Sequence, residues 1–133
     1  MKFERIRCDG VPELGTESLS NCKKMGNQVF ISGMVSWDAD QNIIGGNDAY
    51  RQAQTIFSFI RSLMEAAGGA MDDVIKINMY VTDMRYQPDI WKARREFFTG
   101  DFPCSTLVCV SSLFLPELLV EIEAVGFIGA GAD

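Results

Sequence analysis

Residues 53–81 read AQTIFSFIRSLMEAAGGAMDDVIKINMYV, and the spacing of their apolar positions changes once along the way. Ala53, Ile56, Phe57, Ile60, Leu63, Met64 and Ala67 recur at the 3.6-residue period of a one-sided helix. Asn47 or Asp48 is placed to cap its start, and Gly68-Gly69 to end it. After Asp72-Asp73 the period drops to two. Val74–Val81 then reads as a strand with Lys76, Asn78 and Tyr80 on one face and Ile75, Ile77, Met79 and Val81 on the other.

Toward the N-terminus, Gln28–Val35 is a second strand, entered through the turn pair Gly26-Asn27. Gly33 inside it implies a bulge or a close approach by another group. Residues 9–27 read as a loop with a short strand around Ser18–Lys23, and Phe3–Arg7 as an edge strand. Toward the C-terminus, Pro88 opens a second helix that runs to Phe98, where its missing N–H costs little. Thr106–Ser111 and Leu119–Phe127 are two more strands, joined through Pro116-Glu117, and residues 128–133 form a tail expected to be flexible. The order β-β-α-β-α-β-β predicts an α+β fold in one domain, with two helices on one side of a single mixed sheet. Phe30, Val108, Val110, Ile122 and Ala124 put apolar groups on both sheet faces. Two helices cannot cover both, so a homo-oligomer is expected to hide the second face.

The 133 residues suffice for a buried core. Net charge is −6, which argues against nucleic-acid and anionic-membrane partners, since both require clustered Lys and Arg. Histidine is absent, so Ser-His-Asp triads, Cys-His pairs and histidine-bound zinc are excluded. Acid–base work falls to carboxylates, Tyr, Cys, Lys or water. Cys8, Cys22, Cys104 and Cys109 include no C-x-x-C pair. No apolar leader follows Met1, so the expected location is the cytoplasm, with reduced thiols.

Four stretches together resemble the Rid family, the YjgF-like reactive intermediate deaminases. They are Gly26–Gly33; Met64–Gly68 with Asp72–Lys76; Tyr80–Asp83 with Phe97-Phe98 and Phe102-Pro103; and Leu119–Val125. The resemblance spans residues 18–127 and implies a chorismate-mutase-like fold. It also implies a homotrimer with ligand clefts between subunits, and hydrolysis of small imines or enamines without a metal or organic cofactor. Active deaminases carry an arginine two residues after the Phe-Pro pair, where it forks onto the substrate carboxylate. Here that position is Ser105, and no Arg or Lys follows Arg95. An asparagine of the deaminases aligns near Trp91 and a tyrosine near Leu19, while Ser32-Gly33 and Glu121 are retained. The pattern is similar to arginine-lacking branches of the family.

On this basis Glu121 and Ser105 are the candidate catalytic residues, with Glu121 orienting water or acting as base. Backbone N–H groups around Cys104–Thr106 are candidates to polarise the electrophile. Ser32, Gly33, Trp91, Cys104, Thr106, Leu19 and Cys109 are the candidate ligand-binding set. With no cation at 105, the expected ligand is a small metabolite more neutral or apolar than an ordinary 2-imino acid. Plainer explanations stand beside these. Glu121 and Glu123 fit a solvated strand face, Ser32-Gly33 a bulge, and Trp91 helix packing. Lys92, Arg94 and Arg95 fit a solvated helix face. A non-catalytic metabolite-binding trimer and a ribonuclease are the alternative functions.

Overall fold

The computed structural model describes residues 2–13 and 18–132; residues 14–17 of the predicted loop and Asp133 of the tail lie outside them. Six strands form one mixed sheet: β1 (Glu4–Arg5), β2 (Cys22–Met25), β3 (Gln28–Met34), β4 (Val74–Val81), β5 (Cys104–Cys109) and β6 (Val120–Phe127). Their spatial order is β1-β2-β3-β6-β4-β5, antiparallel throughout except for β4 with β5. Two helices, α1 (Ala49–Ala66) and α2 (Gln87–Phe97), lie together on one face.

The helix expected from residues 53–67 forms because its apolar stripe meets the sheet. Ala53, Ile56, Phe57, Ile60, Leu63 and Met64 are all buried. The Asp48 side chain caps it by accepting from the Tyr50 and Arg51 amides, and Gly68 follows its end in the left-handed region at φ +96°. The sheet supplies Val29, Ile31, Ile77, Met79, Val81, Val120, Ile122 and Ala124 to the same core. Buried Gln52 ties α1 to the segment before β6. Its amide donates to the Gly46 and Glu117 carbonyls, and its oxygen accepts from the Leu119 N–H.

Three expectations change. The strand predicted at 106–111 begins two residues earlier, because Lys76–Val81 on β4 pairs in parallel with Cys104–Cys109. Ile75 does not share a face with Ile77. A bulge between Val74 and Lys76 turns Val74 into the core and leaves Ile75 44% exposed. The tail does not hang free as far as it is described. The Ile128 N–H donates to the Asn27 carbonyl and the Gly131 N–H to the Asp73 carboxylate.

The second sheet face carries Phe30, Ser32, Glu121, Glu123, Val125, Lys76, Asn78, Tyr80, Thr106 and Val108. Among the described residues no element lies over it as the helices lie over the other face. Phe30 is 44% and Val108 41% exposed. No helix among the described residues is long and apolar enough to cross a membrane.

Candidate functional site

The candidate residues fall into two groups. The first surrounds Glu121 on the open face. The bulge of β3 between Ile31 and Met34 brings Gly33 against β6, so closely that a Cβ there would collide with the Glu121 carboxylate. Gly33 thus lies in a bulge and makes a close approach, the two roles the sequence allowed. Burial, then the neighbouring charge of Glu123, pushes the Glu121 carboxyl above the usual carboxylate range. No hydrogen-bond donor or cation engages its side chain among the described residues.

Glu123, two residues on, is held differently. It accepts from the Tyr80 hydroxyl at 2.6 Å and from the Asn78 amide at 3.3 Å. The hydrogen bond to Glu123, more than burial or charge, raises the Tyr80 phenol. The two carboxylates of β6 are thus distinct: one is engaged, and the other is free and half-buried.

Leu19 and Ser32 complete this group. The Ser32 hydroxyl donates to the Ser20 carbonyl at 2.6 Å, and the Ser32 N–H to the Asn21 carbonyl. Arg5 forks onto Glu13 at 2.8 and 3.2 Å and donates to the Leu19 carbonyl at 2.8 Å, which fixes the loop over the sheet. Leu19 stands between two cavities. A polar one of about 670 Å³ is lined by Arg5, Lys23, Phe30, Ser32, Asn78 and Glu123, among others. A smaller one of about 350 Å³ is mostly apolar, with Gly33, Met34, Trp37, Phe59 and Phe114 in its wall. Trp37 meets Phe114 edge-on at 5.7 Å. Sequence reasoning missed Arg5, Trp37 and Phe114; their roles come from chain segments that meet only in the fold.

The second group lies on α2 and β5. Ser105 does not share the Glu121 face. It pairs in register with Ile77 and therefore points to the helix side of the sheet. Its hydroxyl accepts from Arg94 Nη1 at 2.9 Å. The Arg94 guanidinium lies 3.9 Å over the Trp91 ring, and Trp91 packs on the core. Arg94 therefore does not belong to a solvated helix face as the sequence suggested. It is half-buried, with Arg95 exposed beside it. Cys104 and Thr106 face the open side, while Cys109 shares the Ser105 side; all are exposed. Within one chain β4 separates Ser105 from Glu121, about 10 Å across the sheet, and they occupy opposite faces. Among the described residues no three His, Cys, Asp or Glu side chains are placed to hold a metal ion.

The family model described as Endoribonuclease L-PSP matches residues 14–128, most of the chain. The chain belongs to the Rid family. RidA from an Antarctic Psychrobacter species is 31% identical over 94% of this chain and 99% of its own, with a TM-score of 0.84. A protein of unknown function from Pseudomonas aeruginosa is 39% identical, covering 96% of this chain and 93% of that one, with a TM-score of 0.85. A Rid protein from Yersinia pestis, 22% identical over 96% of this chain and 100% of its own, shares the fold with a TM-score of 0.86. The chorismate-mutase-like arrangement of this Rid protein, a mixed six-stranded sheet with two helices, is thereby established.

Proposed function

We propose that this Rid protein hydrolyses small reactive imines or enamines to a carbonyl compound and ammonia, at clefts completed by a second copy in a homotrimer. The observation that carries this reading is Glu121, a desolvated carboxyl beside the tight Gly33 bulge with no hydrogen-bond partner among the described residues. Imine hydrolysis adds water across C=N and then expels the amine. One group must take a proton from the water and return it to nitrogen. A carboxyl whose affinity for protons is raised does both nearer neutral pH than an ordinary glutamate. The apolar cavity that reaches Gly33 suits the carbon side chain of such a molecule. The open sheet face, with Phe30 and Val108 exposed, supports burial against other copies. RNA cleavage fits less well. Of the two cations lining the polar cavity, Arg5 is already neutralised by Glu13, and the net charge is −6.

The test is a coupled assay in which a dehydratase generates 2-iminobutanoate or 2-aminoacrylate and keto-acid release is followed. The folded protein should accelerate release, and Glu121→Gln should remove about 10²-fold or more of that acceleration. No acceleration by the folded wild type on either intermediate would overturn the proposal.

A further inference from the structure

Arg94 is the one cation of α2 turned onto the second group of candidate residues, and nothing anionic among the described residues claims it. Three observations describe its state. One edge of the guanidinium donates to Ser105 Oγ at 2.9 Å. Its face is laid on Trp91 at 3.9 Å. No carboxylate pairs with it among the described residues. Arg5, by contrast, is spent on Glu13 and Arg85 on Asp83. A guanidinium carries five donors in a planar fork. Here the ring and the serine fix the plane, and the remaining donors are unused among the described residues. Partial burial, followed by the repulsion of Arg95, works against its charge. An incoming anion would relieve that cost.

The position matters as much as the state. Ser105 is where the resemblance expects a substrate-binding arginine, and Arg94 reaches that same position from the helix. A serine there leaves room for the guanidinium and accepts one of its hydrogen bonds.

We propose that Arg94, mounted on Trp91 and Ser105, is the clamp for the carboxylate of a small imino, enamino or oxo acid. This rests on the cleft proposed above and replaces the expectation of an uncharged ligand. Planar, two-pronged recognition of carboxylate is the task for which Arg outperforms Lys. Arg94→Lys therefore keeps the charge but loses the fork.

The experiment pairs two readouts on the wild type and on Arg94→Met, Arg94→Lys and Ser105→Ala, with thermal melts to establish folding. Calorimetric titration with 2-oxobutanoate reads the clamp alone, and 2-butanone serves as the uncharged control. The coupled 2-iminobutanoate assay reads turnover. Arg94→Met should weaken 2-oxobutanoate binding and raise KM by roughly ten- to a hundredfold, the range expected for charge-assisted bonds. Its kcat should change less than its KM, and binding of 2-butanone should be unmoved. Arg94→Lys should fall between it and wild type, and Ser105→Ala should lose only a few-fold. Added guanidinium should restore part of the binding to Arg94→Met.

Turnover by the wild type with KM unchanged in both Arg94 variants would overturn the clamp and leave the imine hydrolase standing. Arg94-dependent binding of 2-oxobutanoate without turnover would support the clamp and sink the hydrolase. Absence of binding and turnover in the wild type would overturn both.

Discussion

At the scale of single residues, the pair Gly33 and Glu121 is the most informative. The space that a Cβ at 33 would need is occupied by the far end of a flexible side chain. Gly33→Ala should therefore cost little stability, within about 1 kcal/mol, because Glu121 can swing aside. The displaced carboxylate should lower turnover by ten- to a hundredfold, since about 1 Å of misplacement is enough. In a Glu121→Ala background the same substitution should have no further effect on turnover. Equal losses in both backgrounds would show that Gly33 acts by another route. Glu121 also leaves a signature in stability. Its folded-state carboxyl titrates above the unfolded value, so the native state binds the extra proton. The associated stability is fully present below the unfolded pKa, near 4.3. It is lost as pH rises through the folded pKa. Glu121→Gln removes the titration, so it should melt higher than wild type at neutral pH. The difference should shrink toward pH 4. A variant that melts lower than wild type at neutral pH would show that the carboxylate is stabilised rather than strained.

At the scale of elements, the sequence was most legible where packing follows a fixed period. α1 and β4 lie almost where the apolar spacing puts them, because their buried side chains outnumber every competing signal. β5 was displaced because no residue in Cys104–Cys109 is fully buried and its strand is defined by pairing with β4, which no local pattern records. β2 likewise forms at Cys22–Met25 rather than around Ser18–Lys23, since its position is set by pairing with β3. In the site, Gly33 and Glu121 were legible as a glycine within a strand and a carboxylate on β6. Arg94 was not: its meaning depends on a hydrogen bond to Ser105, eleven residues away across a turn. The bulge at Ile75 offers a direct check on β4. Ile77 is fully buried, while Ile75 stands in the open. Ile77→Ala should cost about 2–5 kcal/mol in denaturant melts. Ile75→Ala should change stability by less than about 0.5 kcal/mol in the isolated chain. A cost at Ile75 that appears only in the assembled protein would assign that residue to an interface between copies.

At the scale of the whole molecule, the two groups of candidate residues pose a problem that one chain cannot solve. Glu121 with Gly33 and Leu19 lies on one side of the sheet, and Arg94 with Ser105 and Trp91 on the other. The proposed trimer resolves it by bringing the first group of one copy to the second group of the next. Subunit mixing tests this directly. Glu121→Gln trimers lack the proton-transfer group and Arg94→Met trimers lack the clamp, so each alone should be slow at low substrate. After co-expression, a copy carrying intact Glu121 faces a copy carrying intact Arg94 at about one interface in four, given random closed-ring assembly. Activity should therefore recover toward a quarter of the wild-type rate, well above the mean of the two parents. If Glu121 and Arg94 served one substrate within a single chain, or served different ligands, no mixture could restore a complete site. The rate would then stay at the parental mean. Recovery also requires that copies exchange or assemble together, which sedimentation of the mixture at three chain masses would establish. A monomeric wild type in the same run would remove the shared cleft, and with it the reason for these two half-sites to act as one.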